Sequence, residues 1–283
     1  MNKTKIEWCD MTWNPVTGCF NNCPYCYARK IAYRFGGASE TINTQCGMEC
    51  NWDTCGEAKN HELNESVYDP DRGRISPYPY DFDPTFHEYR LDQPSQIKKQ
   101  QNIFVCSMAD LFGDWVPDEW IEKVFDACIK ATQHRYMFLT KNTKRYIELK
   151  KQTLLPNFKE FWYGTTITNN ETPFVWNLPR YEEYNSFVSI EPIQSKIDVK
   201  WLCAVDWVII GCETGNRKDK IIPKKEWIEN IVNHCKEKNV PVFMKNNLAE
   251  EKWRKDKKTG EMILVEPKVW DEPLVQEFPW RGK

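Results

Sequence analysis

No run of apolar residues in this chain comes near the ~20 positions a helix needs to cross a bilayer. The start, Met1-Asn2-Lys3-Thr4-Lys5-Ile6-Glu7-Trp8, has no apolar signal core. Both absences lead to the expectation of a cytoplasmic protein with no membrane partner. Charge of one sign is lacking too, since 39 basic and 41 acidic residues leave a formal net charge of −2. No global field draws the chain to nucleic acid, and any such contact must come from local patches. One basic cluster is Lys141, Lys144, Arg145, Lys150 and Lys151, and another is Lys252, Arg254, Lys255, Lys257 and Lys258. Solvated helix faces and a polar hairpin are the plainer account of both.

Cysteine and aromatic residues are plentiful. The 13 Trp, 14 Phe and 12 Tyr fall within a 41% hydrophobic content, ample for a sizeable core. Twelve cysteines in a chain without an export signal read as metal ligands, small buried apolar residues or reactive thiols rather than as a disulfide framework. Cys19, Cys23 and Cys26 carry the strongest signal, in the run Gly-Cys-Phe-Asn-Asn-Cys-Pro-Tyr-Cys-Tyr-Ala. Their Cys-x3-Cys-x2-Cys spacing, with Tyr25 before the last cysteine, supplies three thiolates from one short loop. A [4Fe-4S] cluster has four irons and takes thiolate ligands, so three cysteines leave one iron open for a small chelating molecule. A structural zinc site favours paired cysteines and a fourth protein ligand.

The loop resembles that of the radical S-adenosylmethionine (SAM) enzymes. The resemblance implies that the open iron binds the amino and carboxylate groups of SAM. It also implies reductive cleavage to methionine and a 5′-deoxyadenosyl radical that abstracts hydrogen from a substrate, an external flavodoxin- or ferredoxin-like electron donor, and Tyr25 near the adenine. Further segments are Ile6-Glu7-Trp8, Thr12-Trp13-Asn14-Pro15, Ser107-Met108-Ala109-Asp110-Leu111-Phe112, Leu139-Thr140-Lys141 and Ser189-Ile190-Glu191-Pro192. They are similar to segments of a phage- and prophage-associated group of unassigned function with radical-SAM-like cysteines. The similarity runs from about Lys5 to Asn247. In the wider superfamily a Gly-Gly-Glu segment commonly orients the SAM ammonium; here Ser107-Met108-Ala109-Asp110 stands in its place, and Gly211-Cys212-Glu213 looks like a late variant.

Short, near-continuous apolar runs predict buried parallel strands at 103–106, 136–139, 162–166, 187–190, 207–210 and 242–244, with a first strand near Thr12 to Asn14. Helical spacing follows Pro117, where Trp120, Ile121, Val124, Phe125, Cys128 and Ile129 line one face, and recurs after Pro223 and over 142–150. The alternation predicts an α/β fold, a complete or partial (β/α) barrel over residues 1–247 with chemistry at the carboxyl ends of the strands, and the resemblance implies that the barrel is of the radical SAM type. Ser107 and Asp110, Lys141, Thr168 and Asn169, Glu191, Glu213 and Thr214, and Lys245 follow successive strands.

Residues 36–96 interrupt the alternation and read as an inserted subdomain or lid over the barrel mouth. They carry Cys46, Cys50 and Cys55, which with His61 or His87 suggest a second metal site, either zinc or an auxiliary Fe-S cluster, that would stabilise an insert poor in apolar residues. Residues 248–283 form a C-terminal extension with a hairpin about Lys257-Lys258-Thr259-Gly260-Glu261, packed through Trp270, Phe278 and Trp280.

The expected cofactor-binding residues are Tyr25, Ser107, Asp110, Thr166, Ser189 and Glu191. Cys212, Glu213, Lys141 and Lys245 are substrate-side candidates, and Cys212, Cys106 and Tyr163 are candidate hydrogen-atom donors. A nucleobase or nucleotide, alone or within nucleic acid, is the leading substrate class. A peptide or small metabolite is the second, and a non-catalytic zinc and nucleic-acid-binding protein the contrasting reading.

Overall fold

A computed structural model describes residues 1–37, 60–170, 184–215 and 217–280. It divides into two compact units, Met1–Phe161 and Trp162–Lys283. Among the described residues no helix is long and apolar enough to cross a membrane.

The strands of the first unit are β1 (Asn2–Lys3), β2 (Met11–Trp13), β3 (Val16–Thr17), β4 (His61–Leu63), β5 (Tyr68–Asp69), β6 (Arg74–Ile75), β7 (Thr85–His87), β8 (Asn102–Val105) and β9 (Arg135–Thr140). Its described helices are α1 (Tyr27–Phe35), α2 (Asp118–Ile129) and α3 (Thr143–Lys151). β2, β8 and β9 run parallel in that order, with β1 antiparallel on the outer side of β2. The apolar runs are continuous because both faces of these strands are covered, as parallel packing requires. Pro117 precedes α2, Asp118 and Glu119 meet its positive N-terminal end, and Trp120, Ile121, Val124, Phe125 and Cys128 are buried. Phe125 lies 5.3 Å from Phe138 and 6.2 Å from Phe112, ring centre to ring centre. Full burial of one such ring stabilises by about 1.5–3 kcal/mol.

A second, three-stranded sheet lies beside the first in sequence: β7 pairs antiparallel with β3 and parallel with β4. Two of its strands, β4 and β7, come from the interval that the sequence marks as an insertion. The described part of that interval therefore forms sheet with the segment leading into the cysteines. The cysteines themselves follow β3 rather than coming directly off β2, because Asn14 and Pro15 separate the two short strands.

The second unit begins one residue into β10 (Phe161–Thr166), and β10, β11 (Asn185–Ile190), β12 (Trp207–Ile210) and β13 (Val242–Met244) are consecutive parallel neighbours. The last helix, α4 (Lys225–Glu237), buries Ile228, Ile231 and Cys235 in a core that includes Val188, Ile190, Val208 and Ile210. β14 (Lys252–Lys255) and β15 (Met262–Glu266) form the hairpin read from the sequence. Trp270 is buried, and the Phe278 and Trp280 rings lie 5.8 Å and 5.1 Å from that of Trp207.

Candidate cluster site at the cysteine loop

The loop from Gly18 to Cys26 is fixed at both ends. Gly18 has φ +85°, and a Cβ placed there would lie 2.1 Å from the Asp83 carbonyl oxygen, so only glycine fits. Its N–H donates to Met108 O at 2.9 Å and the Cys19 N–H to Phe82 O at 3.1 Å. At the far end Cys26 caps α1, its Sγ accepting from the Arg29 N–H at 3.3 Å. Arg29 also reaches the Asn22 side chain and, at 3.4 Å, the Cys19 carbonyl. Cys19 Sγ accepts from the Asn21 N–H at 3.4 Å.

Asp110 braces the loop from the next βα segment. It is 5% exposed and every acceptor position of its carboxylate is used. Oδ1 accepts from Thr140 Oγ1 at 2.6 Å and from the Phe112 N–H at 3.2 Å. Oδ2 accepts from Asn21 Nδ2 at 2.9 Å and from the Lys141 N–H at 3.0 Å. One buried side chain thus ties the cysteine loop to the end of β9. The four contacts hold that loop in place. Ser107 is similarly engaged, its hydroxyl 3.2 Å from Asn14 Oδ1 and its carbonyl accepting from Tyr27 OH at 2.8 Å. The Lys141 ammonium sits 5.8 Å from the centre of the Tyr25 ring.

The donor set fits a cluster. Cys19, Cys23 and Cys26 are free thiols, all partly exposed, with N–H donors at two sulfurs and the positive end of α1 behind Cys26. Burial, the Asp110 carboxylate and the other two cysteines push Cys19 up to about 12, opposed by the Asn21 N–H. Metal binding there must displace a proton. Among the described residues no three Cys, His, Asp or Glu side chains are gathered closely enough to hold a single metal ion.

Cys46, Cys50 and Cys55, the expected second site, lie outside the described residues. His61 stacks on Tyr80 at 3.7 Å, and its Nε2 lies 3.5 Å from Asp83 Oδ2. His87, the other imidazole weighed for that site, is fully buried; its Nε2 is 2.9 Å from Thr17 Oγ1 and its Nδ1 3.1 Å from Tyr89 OH. Both ring nitrogens are occupied, which removes His87 as a ligand.

The remaining candidates, Cys106 apart, lie in the second unit. Thr166 and Ser189 are register partners and buried at the ends of β10 and β11. Glu191, just after β11, forms an ion pair with Lys245, just after β13. Gly211 lies against both, and a Cβ there would come within 2.9 Å of Lys245 Cδ and 3.3 Å of Glu191 Cδ. The Cys212 N–H donates to Asn247 Oδ1 at 3.1 Å, while Asn247 Nδ2 donates to Cys212 O at 2.9 Å. Burial is the main cause that pushes the Cys212 thiol up to about 12. Glu213 is buried and held bidentately by Arg217, both contacts at 2.8 Å. Burial alone removes Cys106 and Tyr163 from any surface, at 3% and 0% exposure. Sequence reading missed Asn14, Asn21 and Asn247, since an isolated asparagine in a loop carries no periodic signal.

A search of curated proteins finds no match. Among solved structures the chain is similar to a doubly substituted spore photoproduct lyase with bound AdoMet and dinucleoside spore photoproduct, at 8% identity and TM-score 0.41, over 93% of this chain and 70% of that one. It is also similar to spore photoproduct lyase complexed with dinucleoside spore photoproduct, at 9% identity and TM-score 0.39, over 88% and 66%. Similarity at that level carries no argument about chemistry. Residues 3–273 match the model of the family described as protein of unknown function (DUF5131), and the chain belongs to that family.

Proposed function

We propose that this chain is a radical SAM enzyme in which Cys19, Cys23 and Cys26 hold a [4Fe-4S] cluster. The observation that carries the reading is the cysteine loop itself, three free thiols between a glycine-locked start and a helix N-terminus, braced by Asp110. When bound, the cluster supplies SAM with the electron that generates a radical. The chain's own residues orient and shield. Asn21 and the Asn21 N–H hold the loop, Arg29 pins Asn22 and the Cys19 carbonyl, and Tyr25 with the Lys141 ammonium forms one wall beside it.

The substrate we propose is a nucleobase or nucleotide, alone or within nucleic acid. Support comes from the exposed hairpin, where Trp253 is 52% exposed between Lys252 and Arg254, a pairing of aromatic and cation suited to bases and phosphates. The (β/α) barrel, the phage-related setting, the cytoplasmic location and the external one-electron donor belong to the same proposal.

The experiment is anaerobic purification. The reading expects a brown protein with about four irons per chain, an absorbance shoulder bleached by dithionite, and 5′-deoxyadenosine formed from SAM, all lost in Cys23→Ala. A colourless, iron-free preparation that binds only zinc overturns it.

A further inference from the structure

The cysteine loop lies among three charged side chains whose positions are fixed by different means. Asp110 is buried, with its carboxylate filled by four donors. Arg29 is spent on the Asn22 side chain and the Cys19 carbonyl, with its guanidinium 5.4 Å from the centre of the Phe82 ring. Lys141 differs from both. Its backbone N–H is anchored on Asp110 Oδ2 at 3.0 Å, and its ammonium lies over the Tyr25 ring, between Cys23 and Cys26 in sequence. Among the described residues no carboxylate forms an ion pair with that ammonium, while the Asp110 carboxylate accepts from the Lys141 N–H. A lysine ordinarily swings through many rotamers; here the Tyr25 ring offers the ammonium a perch beside the loop.

Resting on the cluster reading above, we propose that Lys141 is a positioning residue for the electron-transfer step, whose fixed positive charge raises the reduction potential of a cluster held by Cys19, Cys23 and Cys26. Reduction takes one electron from the external donor and leaves the cluster one unit more negative, with no proton moved. A cation held beside the loop favours that more negative state, and net charge is one of the terms that set such potentials. Asp110 fixes through the backbone where Lys141 leaves β9, while its own carboxylate, which adds to burial in pushing the Cys19 pKa up, acts in the opposite sense.

The test is an anaerobic redox titration of the reconstituted full chain, following the reduced cluster by electron paramagnetic resonance with iron per chain measured alongside. At the wild-type midpoint Lys141→Gln should hold about one-tenth of the wild-type ratio of reduced to oxidised cluster, which for one electron is about 59 mV. Lys141→Arg should titrate within threefold of wild type. Lys141→Met, which keeps the aliphatic stem over Tyr25, serves as a second charge-removing variant in case the glutamine variant loses its fold. Equal potentials for wild type and whichever charge-removing variant loads iron overturn this role and leave the cluster reading standing. A wild-type chain that takes up no iron overturns both.

Discussion

Asn21 Nδ2 donates to Asp110 Oδ2 at 2.9 Å, joining two residues 89 positions apart in the chain. Because the same carboxylate also accepts from Thr140, Phe112 and Lys141, removing it strands four donors together. Asp110→Ala is expected to cost roughly 3 kcal/mol in urea unfolding and Asn21→Ala about 1.5 kcal/mol, from the usual worth of hydrogen bonds to a charged group. The double variant should fall close to Asp110→Ala alone, as coupled neighbours do. Full additivity would mean that the brace is not one unit.

Gly18 and Gly73 both have positive φ, +85° and +61°, but their surroundings differ. A Cβ at Gly18 meets backbone at 2.1 Å, whereas the nearest atom at Gly73 is 4.0 Å away. Gly18→Ala should therefore destabilise by more than about 2 kcal/mol and impair iron loading, while Gly73→Ala should cost only about 1 kcal/mol of backbone strain. Thermal melting of the two variants side by side checks this.

His87 is buried, with Arg90 a smaller influence, and these push its pKa down to about 2. Above the ordinary value of ~6.5 the ring is neutral in both folded and unfolded chains, and its stability contribution is fully present. As pH falls toward 2 the unfolded chain takes a proton that the folded one refuses, so stability declines by about 1.4 kcal/mol per unit. Urea unfolding at pH 6.5 and 5.5 should show about 1 kcal/mol of loss that His87→Gln abolishes. An unchanged slope in the variant would show that the protonation lies elsewhere.

Cys212 combines a thiol pushed up to about 12 with a backbone clamped by Asn247. Alkylation by iodoacetamide requires thiolate, so at pH 7.5 the folded protein should label Cys212 roughly a thousandfold more slowly than the urea-unfolded chain. Asn247→Ala should speed labelling about tenfold by freeing the Cys212 backbone. Mass spectrometry of the labelled peptide reads both rates, and equal rates in folded and unfolded chains would contradict the burial.

Much of the framework was legible in the sequence because its signals are local. Strands β8 to β13 and helices α2 to α4 fall within about two residues of the apolar runs and periodic faces, since covered parallel strands and one-sided helices each write their own pattern. Cys19, Cys23 and Cys26 were legible for the same reason: one loop holds all three.

Tertiary structure alone decided what those elements hold in place. Asp110 reads in the sequence as a polar residue after a strand, and contacts from Asn21, Thr140 and Lys141 make it the brace of the cysteine loop. The pairing of β3 with β7 joined part of the expected insertion to the entry of that loop, and His87, 70 residues from Thr17, became a buried hydrogen-bond partner rather than a metal ligand. Such contacts join residues far apart in the chain, where no spacing or period exists to announce them, and only the folded backbone brings their donors and acceptors within 3 Å. The sequence by itself determined the chemistry the loop offers and the order of strands and helices; the fold determined which side chains are free to use it.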